Sequence, residues 1–509
     1  MTTRPVVFRY APSQFDLDAL LLLASRLRQQ PCSCNKSKPP LAGSLNWAIF
    51  VSFDDGVEWA FRSPDSGRRA FLSDEYTSRI LASEVATLEY VKRHSSIPVP
   101  EVFAYSASGD NDIGVPYILM SKAHGRPLST YGWLPPAHQP LAEGTTLLSE
   151  WDKRKILSQL GAITAQLSQL RFDKIGSLSH DSAGNFTIGE CLSPWLTWQQ
   201  RDLLANIDRG PYDDETAYLE SLMSVYIAHA KELPMTPHAF FAPIPDPAEY
   251  PSWASFRAAA SRWNNFVAVG QKIDHSRNRL AYCIAGQIMR KMIPRLRSDA
   301  PADEDGGGGF PLGHPDLHLG NIFVDDALNV TWLLHTRDSS TENPLVAAFR
   351  AVFERAASGG EPAVGPGTWQ RAAMMQHLQR LIRMLSTRDY HDFAALYALA
   401  HPGQGGGKDD DGESAARDVL PALFSERARR DENKKLLGEL GEDDWPRDEV
   451  ERQERASFVR PSSPATQEKL AVARKLTLLA EMNERLVADR RLWRWIEDAM
   501  EDVGDVARV

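Results

Sequence analysis

Strict alternation marks the first informative stretch of the chain. In "NWAIFVSF" the large apolar residues Trp47, Ile49, Val51 and Phe53 fall at every second position, which places them on one face of a strand. The "DDG" that follows turns the chain. "VEWAFR" then alternates again, with Val57, Trp59 and Phe61 on one side and Arg62 on the other. A β-hairpin is predicted, entered from a loop, "PCSCNKSKPPLAG". The period then changes to that of a helix, with Leu81, Val85, Leu88 and Val91 on one face. Ser73 stands as its N-cap, and Asp74 and Glu75 occupy the first turn, where the helix dipole favours acids. Glu84 falls on the apolar face, and a carboxylate there needs a cationic or hydrogen-bonding partner. Arg62 is the candidate.

Two further strands are predicted in "VPEVFAYS" and "GVPYILMSK", separated by the polar "ASGDNDI". Past Met120 the pattern is mostly helical. Ile156, Leu160, Ile163, Leu167 and Leu170 recur at spacings of four and three and define a buried helix stripe. "DEDGGGG" and "HPGQGGGKDDDGE" have the composition of flexible, solvated insertions, and the tail from "ATQEKLAVARK" is amphipathic. The expected architecture is α+β in two lobes: a small antiparallel sheet with one helix, and a larger, mostly helical body. The expected boundaries are 1–120 for the small lobe with a leader helix, 121–400 for the helical lobe, 401–417 for an acidic, Gly-rich insertion and 418–509 for closing helices.

Composition narrows the field. With 509 residues, 43% hydrophobic and 24% charged, the chain can bury a substantial core. A net charge of −10 opposes general nucleic-acid binding, which needs cations to displace phosphate counterions. The most apolar stretch, "LDALLLLASRL", is too short to cross a bilayer. The N-terminus has no apolar signal core, so the cytoplasm is the expected compartment. Four cysteines are too few for a disulfide framework, and Cys32 with Cys34, lacking a second pair nearby, reads as ordinary loop.

"HPDLHLGN" (314–321) carries the candidate chemistry. Asp316 and Asn321 have the D-x-x-x-x-N spacing of a kinase catalytic loop. Together with "GSLNWAIFVSFDDGVEWAFR", "SEVATLEYVKRHSSIPVPEVFAYSASGDNDIGVPYILMSKAHGRPLS" and "FDKIGSL", in this order from about residue 43 to residue 345, the chain resembles the aminoglycoside phosphotransferase-like family, in the form of its fungal members. The resemblance implies a protein-kinase-like fold that binds ATP and transfers its phosphoryl group to a hydroxyl of a small molecule. Asp316 is then the base, His314 braces the loop, and Asn321 holds magnesium, or manganese in its place. Gly43, Ser44 and Asn46 stand where backbone amides cover phosphates. Arg62 stands at the position of the phosphate-pairing lysine, Glu84 at that of its helix partner, and Met120 and Lys122 in the segment joining the lobes.

One position departs from that pattern. Relatives carry a magnesium-binding aspartate after the hairpin that follows the loop, whereas this chain has His335, with Asp338 three residues on as a substitute. Magnesium prefers oxygen ligands and imidazole suits softer metals. The alternative is therefore a pseudokinase, a nucleotide-binding or protein-interaction module without the chemistry.

Overall fold

A computed structural model describes residues 15–42, 46–64, 72–133, 146–236, 239–242, 251–252, 273–297, 309–313, 319–332, 344–357, 367–384, 388–402, 412–444 and 446. The chain divides into two compact units, residues 1–225 with 290–373, and residues 226–289 with 374–509. The lobe boundary expected after residue 120 lies inside the first unit.

The first unit is built on a sheet of six described strands in which every pairing is antiparallel. They are β1 (Cys32–Cys34), β2 (Leu41–Ala42), β3 (Asn46–Phe53), β4 (Glu58–Pro64), β5 (Val102–Ser106) and β6 (Tyr117–Ser121). The order is β1-β3-β4-β6-β5, with β2 also on β3. The segment holding Cys32 and Cys34, expected as loop, is thus a strand, with Cys32 opposite Phe53. Three residues are too few for a period to announce themselves.

Each face of the sheet is covered by a helix. Helix α1 (Leu17–Arg28) starts from Asp16, whose side chain accepts from the Ala19 amide at 2.9 Å. It packs Leu20 and Ala24 on Trp47, Val51, Trp59 and Phe61. Arg28 grips Asp55 in the β3–β4 turn through two 2.7 Å hydrogen bonds. Helix α2 (Asp74–His94) has Ser73 as its N-cap, as expected, and packs Leu81 and Val85 on the opposite face, against Ala60, Ile118 and Met120. Strand β4 is therefore buried on both sides. Val57, expected in line with Trp59 and Phe61, lies before the strand and is exposed.

The chain continues through β7 (Arg126–Pro127) into α3 (Glu150–Gln169), whose Ile156, Leu160, Ile163 and Leu167 are buried as the stripe predicts. These pack with Ile322 and Val324, from the end of the candidate loop and the strand after it. Strand β8 (Arg171–Phe172) pairs with β11 (Phe310–Pro311), and β9 (Ser177–His180) with β10 (Phe186–Gly189). Strand β12 (Phe323–Val324) pairs with both β13 (Val330–Trp332) and β7. Gly161 lets α3 approach the helix Pro344–Ala357, because a Cβ there would meet the Phe349 carbonyl at 2.8 Å.

The second unit is helical. Phe241 sits among the rings of Tyr282, Tyr390, Phe393 and Phe424. The buried Tyr282 hydroxyl donates to Asp389 at 2.6 Å. Asp444 accepts from both the backbone amide and the hydroxyl of Ser276, at 2.8 and 2.5 Å. The helix Gly412–Ala428 begins within the segment expected to be a flexible insertion, so its last residues are regular. The amphipathic tail beyond residue 450 lies outside the described residues.

Candidate functional site

The β3–β4–β6 register sets one face of the sheet. Ala48, Arg62 and Ile118 are cross-strand neighbours, as are Phe50, Ala60 and Met120. Glu58, two residues before Ala60, projects to the same side. The Arg62 guanidinium forms an ion pair with the Glu84 carboxylate of α2. This is the partnership expected from the sequence, and it holds the helix to the strand. At the other end of the strip Lys122 forms an ion pair with Glu58 and lies 4.6 Å from the centre of the Phe50 ring. Hydrogen bonding from Lys122 holds the Glu58 carboxyl below its ordinary range. The result is an apolar strip of Phe50, Ala60 and Met120 between two ion pairs. Met120 is buried in the cluster with Leu81 and Val85, so its side chain belongs to the core.

The strip meets the candidate loop through the segment after Lys122. Gly125 has φ +85°, and a Cβ there would lie 2.1 Å from the Val324 carbonyl oxygen. That close approach lets β7 pair with β12, with Arg126 opposite Val324 and Pro127 opposite Phe323. The Leu128 amide donates to the Ile322 carbonyl at 2.6 Å. Phe323, two residues past Asn321, packs against the cluster that contains Ala60 and Met120. The backbone leaving the loop is therefore tied to the sheet that carries Arg62.

Helix α3 braces the hairpin beyond. Gln159 accepts from the Val330 amide at 2.9 Å and donates to the Leu328 carbonyl at 3.0 Å. The Lys155 ammonium donates to the Ala327 carbonyl at 2.5 Å. Within the turn Asp325 accepts from the Asn329 backbone amide at 2.8 Å and from its side-chain amide at 2.9 Å. Those bonds lower the Asp325 carboxyl's pKa.

Of the residues singled out from the sequence, Arg62 and Glu84 are brought together, Asn46 opens β3, and Asn321 closes a 3₁₀ turn directly ahead of β12. Gly43, Ser44, His314, Asp316, His335 and Asp338 lie outside the described residues. The sequence reading missed two features. Glu58 shares the period-two register of Ala60 and Arg62, which would have disclosed it. The role of Gly125 depends on a partner some two hundred residues away and has no local signal.

The element order of strand, strand, helix, strand, strand, with a charged pair joining strand and helix, is that of the small lobe of a protein-kinase-like fold. No family model matches the chain. A subtelomeric hrmA-associated cluster protein of Aspergillus fumigatus is 32% identical over 140 residues, 26% of this chain and 25% of its own length. The mitochondrial protein Altered inheritance of mitochondria protein 9 of Debaryomyces hansenii is 30% identical over 137 residues, 27% of this chain and 20% of its own. The chain thus spans a quarter or less of the curated relatives it matches. Among solved structures, a macrolide 2'-phosphotransferase of Brachybacterium faecium aligns over 80% of this chain and 98% of its own, at 16% identity and a TM-score of 0.31. An ethanolamine kinase of Plasmodium vivax aligns over 77% and 82%, at 10% identity and a TM-score of 0.29. No described helix is long and apolar enough to cross a membrane.

Proposed function

We propose that this chain is an ATP-dependent phosphotransferase that phosphorylates a hydroxyl group of a small molecule. The observation that carries the reading is the Arg62–Glu84 ion pair on the sheet face that the β7–β12 pairing ties to the candidate loop. Phosphoryl transfer needs positioned cations on the nucleotide and a carboxylate for the attacking hydroxyl. Arg62 supplies the first, as a fork able to engage carboxylate and phosphate together. Asp316 supplies the second. The amide oxygen of Asn321 is a hard donor that fits magnesium, which would offset the phosphate charge when bound. The imidazole of His335 does not fit that ion, so Asp338, the carboxylate nearest to it in the sequence, is the substitute oxygen donor.

The test is phosphate transfer from magnesium- or manganese-ATP to a panel of hydroxylated acceptors. Turnover by the parent and its loss in Asp316→Ala is the expected outcome; equal turnover in that variant overturns the assignment.

His335 favours a second reading, a nucleotide-binding module without catalysis. It predicts an ATP-dependent rise in melting temperature with no product under either metal. Product appearing only in His335→Asp would assign the parent to this reading.

A further inference from the structure

Away from the Arg62–Glu84 pair, the far end of α2, residues 172–174 and the β9–β10 hairpin line a half-open cavity of about 410 Å³, within the size range of small-molecule pockets. Three rings wall it. Tyr90 lies 5.0 Å from Phe172 and 5.1 Å from Phe186, centre to centre, and the second pair meets edge to face. Two charged residues line it as well, Asp173 and Lys174. The Lys174 ammonium is neutralised by Asp213 at 3.1 Å, whereas Asp173 has no partner among the described residues. Among the lining residues, the charge left without a partner is therefore negative.

Aromatic faces carry negative potential and attract cations. The hairpin already shows this, since the Arg93 guanidinium stands 5.0 Å over the Phe186 ring. Arg93 does not itself line the cavity, whereas Asp173 does. Ring walls with one free carboxylate are the chemistry of a site for an organic ammonium ion.

We propose that this cavity binds a small organic cation, an aromatic or alkyl amine, at a site separate from the phosphotransferase cleft. Tyr90 lies six residues along α2 from Glu84, about 9 Å at 1.5 Å per residue. Phe172 pairs with Phe310, in the strand that leads toward residues 314–321. An occupant thus touches both the helix that carries Glu84 and the strand pair that enters the loop. The inference stands whether or not the chain transfers phosphate.

The experiment is titration of the full chain with benzylammonium, followed by methyl NMR of Leu178 and Ile188, which line the cavity. Saturable shifts at these methyls are expected, with benzyl alcohol, the neutral analogue, binding at least about tenfold more weakly. Phe186→Ala and Asp173→Asn should each weaken benzylammonium by roughly two- to fivefold. Asp173 is exposed, so its variant should keep the parental melting temperature and fold. Equal binding of amine and alcohol, unchanged affinity in Asp173→Asn, or no shift at either methyl at millimolar amine overturns the proposal.

Discussion

Arg62 on β4 and Glu84 on α2 form an ion pair across the sheet–helix seam, with side chains 22% and 35% exposed. At that exposure the pair adds little to stability, up to about 1 kcal/mol. Its expected value lies in presenting a fixed guanidinium to an anionic ligand. Glu84→Gln should therefore lower the unliganded melting temperature only slightly, while Arg62→Ala should abolish most of any rise caused by magnesium-ATP. Calorimetric or fluorescence melting with and without nucleotide checks this. An undiminished rise in Arg62→Ala would remove Arg62 from the phosphate site.

This pair was legible in the sequence because the strand period put Arg62 on the face opposite Trp59 and Phe61, while the helix period put the Glu84 carboxylate on an apolar face in need of a partner. The cap at Ser73 and the buried stripe of α3 were legible for the same reason: the signals are local and repeat. Cys32 and Cys34 were read as loop because a three-residue edge strand shows no repeat and depends wholly on β3 for its existence. The Gly412–Ala428 helix was missed at its start because the glycine and aspartate run leading into it has weak local helix preference. Nothing near residue 125 announces its contact with residue 324.

That contact yields a stability prediction. Gly125 combines φ +85° with a Cβ position 2.1 Å from the Val324 carbonyl oxygen. Gly125→Ala must adopt left-handed backbone, costing about 1–2 kcal/mol, and must also push β7 away from β12. A total loss of about 2–4 kcal/mol is expected, read as a lower urea midpoint. Gly56, also at positive φ but with open space around its Cβ, supplies the control. Gly56→Ala should cost only the backbone term, and equal losses at both positions would refute the steric part.

In the second unit, Tyr282 is fully buried, and its hydroxyl donates to Asp389, also fully buried, at 2.6 Å. Burial, with the Asp389 charge beside it, raises the Tyr282 phenol well above its ordinary value, so it remains a donor throughout the usable pH range. Tyr282→Phe keeps the ring and removes that donor from a carboxylate shut away from water. The expected cost is about 1–3 kcal/mol, measured by denaturant unfolding at pH 7. A loss below about 0.5 kcal/mol would show that Asp389 does not need this donor.

The Glu58–Lys122 pair predicts a pH dependence with a definite sign. Lys122 hydrogen bonding holds the folded-state carboxyl below its ordinary 4.5. A depressed carboxyl stabilises the fold at pH values above the unfolded-state value, and that contribution is lost as pH falls through the lower folded-state value. The parent should therefore lose stability below about pH 4.5. Glu58→Gln, which cannot titrate, should begin less stable at pH 7 and show a shallower decline across the same window. Both side chains are more than a third exposed, so solvent and salt screen the pair and the difference should shrink at high ionic strength. Unfolding curves for parent and variant between pH 3 and 7 at low and high salt measure it. Parallel declines would show that Lys122 leaves the titration of Glu58 unchanged.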